Sequence, residues 1–276
     1  MSDPDNPEKH ELEIRSSHEI VARMDRQLEL VDKLLAERQA KRELFRPSFT
    51  NSLGMPFVPV PGLDGVQFCI WQTRVQDYAA YAAENPRIDM AWKAISACQG
   101  GPDHPVVCVS WEDATAFCEW LSRKEGKPYR LPTDHEWSVA VGIGDQEDPA
   151  ASPVDKGHLI KDYPWGNQWP PPAGSGNFAG EETSSRPKIE GYRDPFPFTA
   201  PVGSFELNHY GIKDLSGNVG EFCQDGYMSE QYIRVSRGSS WTDHSEGSLR
   251  SSIRLGVHRT VRDLFIGFRV VVGVGG

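Results

Sequence analysis

Hydrophobic and polar positions follow two different rules on either side of residue 46. In residues 1–46, Ile14, Ser17, Val21, Met24, Leu28, Val31 and Leu35 recur at alternating three- and four-residue steps. That is a heptad seam with one polar member, and Ser17 weakens it locally. Arg, Glu, Asp, Lys and Gln fill the flanks, and no Gly or Pro interrupts the run between Pro7 and Pro47. Asn6 before Pro7, with Glu8 behind, is a helix start, because Pro fits the first helical position and an acid there opposes the dipole. The pattern predicts one helix of about 35 residues. Its seam can be covered by its own domain or by another helix, and residues 12–40 are the candidate for a homo-oligomer or a partner helix.

From residue 47 to 276 the pattern is that of a separate domain with short elements. Phe49 to Val60 alternates apolar residues with Pro, which predicts an edge strand, since Pro cannot donate to a central ladder. A second strand is expected over Val66–Trp71, and a helix over Val75–Asn85 with Tyr78, Tyr81 and Ala82 on one face. Pro105–Val109 reads as a short strand. Ser110 then caps a helix carrying Trp111, Ala114, Phe117, Cys118 and Leu121 at helical spacing, with Asp113 completing a capping box. Thr133 and Glu136 repeat that device one helix later. Capping therefore accounts for Glu136, and its neighbour His135 points about 100° away from it, so the pair does not read as a metal site.

Residues Gly142 to Thr199 lack periodicity and are rich in Pro, Gly and Asp. A loop of that length must be functional or held by something stronger than turns. Beyond it, Tyr210 to Val271 holds three short apolar or aromatic segments fenced by Gly or Asn, which predicts short strands with function on the loops between them.

Composition narrows the classes. A hydrophobic fraction of 38% over 276 residues supports a buried core, while 8 Trp, 26 Gly and 21 Pro suit a loop-rich fold anchored by indoles. The formal charge of −10 opposes binding to nucleic acid. No stretch approaches the ~18 apolar residues that span a bilayer, so no membrane is expected. The five cysteines (Cys69, Cys98, Cys108, Cys118, Cys223) are odd in number, without metal-ligand spacing, behind a charged N-terminus that has no apolar leader. Free thiols in the cytoplasm are the expectation.

Six blocks in order carry a family resemblance: Pro105–Leu121, Tyr129–Trp137, Tyr163–Asn167, Asn218–Phe222, Arg237–Trp241 and Gly267–Val271. They resemble the formylglycine-generating enzymes (sulfatase-modifying factor domain), which implies an α+β fold of the C-type-lectin type preceded here by the long helix. The resemblance implies structural calcium, on Asn177 with the Phe178 carbonyl, Asp194 with the Phe196 carbonyl, and separately on Asn218, the Val219 carbonyl and Glu221. Hard oxygen donors of this kind suit that ion.

The resembling enzymes oxidise a substrate cysteine with a copper-binding cysteine pair just after the Arg-Gly-Ser-Ser-like block. Here those places fall near Asp243 and Ser248, neither of which is Cys. No copper is therefore expected, since a monovalent copper centre requires soft thiolates. What remains is recognition: in the lectin-type fold, residues 241–265 resemble the ligand-binding face, which is the varied segment in proteins diversified by retroelements. The candidate surface comprises Trp241, Asp243, His244, Glu246, Arg250, Arg254, His258, Arg259, Arg262 and Phe265. Its arginines point to an anionic ligand such as an acidic peptide, except where they pair with carboxylates such as Asp214 or Glu221. Two other readings stay open. One is a metal-dependent oxidase or oxygenase, of the formylglycine-generating or sulfoxide synthase type, using Asp243, His244 and His258. The other is an assembly subunit whose helix is the working part.

Overall fold

The computed structural model describes residues 20–33, 36, 46–94, 100–183, 187–229 and 231–273. The chain divides into two units, 1–46 and 47–276. In the first, helix α1 covers residues 20–33, and its seam members Val21, Met24, Leu28 and Val31 are all exposed. Ile14, Ser17, Leu35 and the Asn6-Pro7 start lie outside the described residues, as does Cys98. Among the described residues, no helix is long and apolar enough to cross a membrane.

The second unit is built on two sheets. One takes β1 (Phe49–Thr50), β2 (Pro56–Pro59), β3 (Val66–Cys69), β9 (Val271–Gly273) and β4 (Tyr129–Arg130), in that spatial order and antiparallel throughout. The other runs β7 (Arg254–His258), β6 (Ile233–Arg237), β5 (Gly220–Gly226) and β8 (Ile266–Phe268), with β8 parallel to β5. Among the described residues, four α-helices accompany them: α2 (Val75–Glu84), α3 (Trp111–Glu125), α4 (Asp134–Val141) and the single turn α5 (Pro153–Lys156).

Local rules hold at the helix starts. Ser110 and Thr133 accept hydrogen bonds from the Asp113 and Glu136 amides, and each carboxylate in turn accepts from the cap residue's amide, so both capping boxes form. Helix α3 presents Ala114, Phe117, Cys118 and Leu121 to the main core, where Phe117 meets Tyr78, Tyr81 and Phe268. Replacing a ring so fully enclosed by Ala costs about 3–5 kcal/mol.

Two strand expectations change. The Pro-punctuated stretch becomes the β1–β2 hairpin, and β2 lies inside the sheet, with Pro56 and Pro59 at its two ends. Pro105–Val109 is no strand. The Val106 amide bonds the Thr73 carbonyl and the Cys108 amide that of Asp263, so successive residues address different segments and no ladder forms. Cys108, with φ of 54°, breaks the extended run.

The long connection is fastened partly by apolar burial, which is stronger than turns alone. Tyr163, Phe178, Ile189 and Tyr192 form a satellite core with Leu249, walled by Trp165 and Trp169. The Tyr192 hydroxyl also bonds the Gly176 carbonyl.

Candidate functional site

Residues 241–265 sit on a buried ionic frame. Arg237 at the end of β6 is fully buried, lies over the Trp137 ring at 4.3 Å, and donates to the Ser251 and Ile253 carbonyls beneath the segment. Its Nη1 also meets Asp134 Oδ1 at 2.6 Å. Asp134 further holds Arg254 at 2.9 Å and Lys156 at 3.0 Å, and Arg254 reaches Glu147 at 2.6 Å. Burial alone would raise the Asp134 pKa. The cations overcome it, Arg237 and Arg254 foremost, and hold the carboxyl well below its ordinary range.

Arg254 therefore belongs to the frame and not to the recognition surface, a correction to the sequence reading. Its side chain has no exposure, and it would be stranded without Asp134 and Glu147. Trp241 is corrected likewise: it packs with Val107 and Val219 and donates Nε1 to the Leu264 carbonyl. Phe265 is half-buried against the main core.

The remaining candidates fall into two exposed stretches rather than one. His244 and Glu246 stand in the exposed run 244–247. His258 and Arg259 stand in the exposed run 258–261, beyond buried Leu249, Ser251 and Ser252. The His258 ring lies 5.6 Å from that of Tyr232. Arg250 is half-buried between the stretches. The basic character is largely compensated, but by α3 rather than by Asp214 or Glu221: Arg259 pairs with Glu112 at 3.0 Å and Arg262 with Asp113 at 2.9 Å.

Asp243 and Ser248 each close a turn. Asp243 Oδ2 accepts from the Ser240 amide at 2.8 Å and hydroxyl at 2.9 Å, while its carbonyl accepts from the Ala179 amide. The Ser248 hydroxyl donates to the Ser245 carbonyl at 3.0 Å. Among the described residues, no group of three or more His, Cys, Asp or Glu side chains could hold a metal ion, so Asp243, His244 and His258 do not assemble as a triad. Cys69, Cys118 and Cys223 are buried elsewhere, and burial pushes their thiols up, Cys69 to about 12.

The two sets of oxygen donors differ. Asn177 is fully buried, its Nδ2 donates to the Phe198 carbonyl, and its Oδ1 has no hydrogen-bond partner. Asp194 accepts from the Phe196 and Phe178 amides, yet burial pushes its pKa up to about 6. An orphaned oxygen on Asn177, and a carboxylate short of positive charge bonded to the amide of the next residue, are donors of the kind that fit a hard cation. The Asn218 set does not fit. Glu221 Oε1 and Oε2 meet Arg269 at 2.7 and 3.0 Å, Trp137 donates to Oε2, and Gln72 donates to the Val219 carbonyl. Arg269 already supplies the neutralising charge that calcium was expected to bring. The turn carrying Asn218 abuts Asn177 so closely that a Cβ at Gly217, whose φ is +79°, would run into the Asn177 carbonyl.

Residues 48–274 match the family model of the sulfatase-modifying factor enzyme 1-like domain. The chain belongs to that family. Within it, the chain is 36% identical over 179 residues to the inactive C-alpha-formylglycine-generating enzyme 2 of Bos taurus, covering 63% of this chain and 52% of that protein. It is 33% identical over 155 residues to the formylglycine-generating enzyme of Thermomonospora curvata, covering 52% and 42%. The chain thus spans about half the length of the curated relatives it matches. Among solved structures, Treponema denticola variable protein 1 is similar at a TM-score of 0.55 and 18% identity, covering 79% of this chain and 92% of that one. PvdO of Pseudomonas aeruginosa is similar at 0.53 and 23%, covering 75% and 80%. Both likenesses show the fold, α+β of the C-type-lectin kind.

Sequence reasoning missed several residues that carry this buried ionic frame. Asp134 left one signal: a carboxylate directly after the Thr133 cap, at a helix start already supplied with Glu136. Glu147 and Lys156 left none, since their partners are distant in sequence.

Proposed function

We propose that this chain is a non-catalytic member of its family that binds a protein or small ligand through the exposed parts of residues 241–265. One observation carries the reading. At the two places where the resembling enzymes hold copper-binding thiolates, Asp243 and Ser248 are oxygen-bearing side chains that close their own turns. Oxygen donors of that kind suit neither monovalent copper nor sulfur redox exchange. The bovine relative, named as inactive, supports it. His244, Glu246, His258 and Arg259, with half-buried Asp243, Arg250 and Arg262, form the polar face on a stiff ionic base. Its variation by a retroelement is part of the proposal, and so is one structural calcium on Asn177 and Asp194.

The test is direct. Purified chain supplied with copper, oxygen and a cysteine-containing peptide should leave the cysteine unoxidised, and formation of an aldehyde would overturn the reading. Sequencing around the gene should find a reverse transcriptase and a near-copy of the segment encoding 241–265; without them the diversification proposal falls while the binding proposal stands.

A second reading concerns assembly. Val21, Met24, Leu28 and Val31 put an exposed apolar seam on α1, which a second helix would cover. Light scattering should show a larger species that deletion of residues 1–46 reduces to a monomer.

A further inference from the structure

A cavity of about 350 Å³ opens between α3, β4 and the β5–β6 hairpin, outside residues 241–265. Trp111, Thr115, Cys118, Tyr129 and Leu131 line it together with Arg234. Arg130 and Gln224 also lie on its lining, and the polar ends of three of the others are already used: Trp111 Nε1 donates to the Cys223 carbonyl, Tyr129 Oη to Glu125, and Thr115 Oγ1 to the Trp111 carbonyl. These three, with Cys118 and Leu131, therefore offer rings, methyl groups and a thiol.

Arg234 is the exception. Its Cζ lies over the Trp111 ring, 3.9 Å from the centroid, and Nη1 donates to the Gln224 carbonyl at 3.0 Å. Its Nε is buried without a hydrogen-bond partner. Neighbouring cations are matched: Arg130 with Glu136, Arg259 with Glu112, Arg262 with Asp113. Arg234 has no carboxylate within ion-pair distance among the described residues. Burial and the like charge of Arg259 lower its pKa, and Asp225 offsets this only in part. Glu119 also lines the cavity but is 64% exposed, so water screens it.

We infer that this cavity binds an amphipathic carboxylate, an aromatic or branched apolar group filling the space against Trp111 and Leu131 while the carboxylate takes the open donors of Arg234. A guanidinium seated over a ring leaves the donors not already bonded for two-point recognition of a carboxylate. The volume suits one side chain with its carboxyl group. The ligand is either a free aromatic or branched-chain acid or the C-terminal residue of a peptide, since both present the same chemistry.

Calorimetry and amide NMR shifts with N-acetyl-phenylalanine as probe test this on the full chain. N-acetyl-phenylalaninamide, which lacks the carboxylate, should bind at least about tenfold more weakly, and Arg234→Gln should lose a similar factor for the acid. Thr115→Phe, filling the cavity from the α3 side, should abolish binding while the melting temperature stays near that of the parent. A tetrapeptide ending in Phe with a free carboxyl, compared with its amidated form, separates the sources: preference for the free-ended peptide over the acid assigns a peptide C-terminus, the reverse a free acid. Equal binding of acid and amide, or unchanged binding in both variants, would overturn the inference.

Discussion

Glu221 and Arg269 meet as a fully buried two-point ion pair that locks β5 to the segment joining β8 and β9, Nη2 to Oε1 at 2.7 Å and Nε to Oε2 at 3.0 Å. Trp137 and Gln72 complete the bonding of the carboxylate, and the Cys69 and Lys213 carbonyls accept from the guanidinium. Removing one partner strands the other charge away from water. Glu221→Ala or Arg269→Leu should each cost about 3–5 kcal/mol in denaturant unfolding. The pair Glu221→Leu with Arg269→Met should cost clearly less than the two single losses added. Additive losses would mean that the neighbours, not the pairing, carry the stability.

Asp194 and Asp214 give a stability effect with an unusual sign. Burial pushes both carboxyls up to about 6, against about 3.9 for an unfolded aspartate. The folded state thus holds these protons more tightly, and their effect is to weaken folding progressively as pH rises from about 4 to 6. A calcium ion on Asn177 Oδ1 and Asp194 would reverse the Asp194 share. Added calcium should raise the melting temperature more at pH 7 than at pH 4.5, and Asp194→Asn should remove the response. A calcium effect that survives in Asp194→Asn would place the ion elsewhere.

Display and scaffold within residues 241–265 should separate by stability. His244→Ala, Glu246→Ala and His258→Ala alter exposed side chains and should stay within about 0.5 kcal/mol of the parent. Trp241→Ala empties a packed site and should cost about 3–5 kcal/mol. A large loss at His244 or Glu246 would make the exposed run part of the frame and remove it as a recognition surface.

Much of this architecture was legible because it rests on local rules. Ser110 with Asp113 and Thr133 with Glu136 mark helix starts within four residues, and both form as read. The block order marked the fold, and the family model matches residues 48–274, which include all six blocks. Long-range pairing was not legible. Nothing near Arg254 shows that its partners are Asp134 and Glu147, more than a hundred residues away, so its charge read as surface. The same limit let Glu221 read as a calcium ligand, because Arg269 lies 48 residues on.

Asp134 is where the frame is most exposed to a single change. Three cations, Arg237, Arg254 and Lys156, converge on it, and among the described residues only Arg254 pairs with a second buried carboxylate, Glu147. Asp134→Asn keeps the shape but removes the charge, and should cost about 3–5 kcal/mol near neutral pH. The pH dependence distinguishes charge from shape. The folded pKa of Asp134 lies below its unfolded value, so its contribution is complete above about pH 5 and is lost as pH falls from there towards the folded pKa. The stability gap between parent and variant should therefore be constant from pH 7 to about 5 and narrow on further acidification. A gap that stays the same down to pH 2.5 would assign the loss to altered hydrogen bonding rather than to the missing charge.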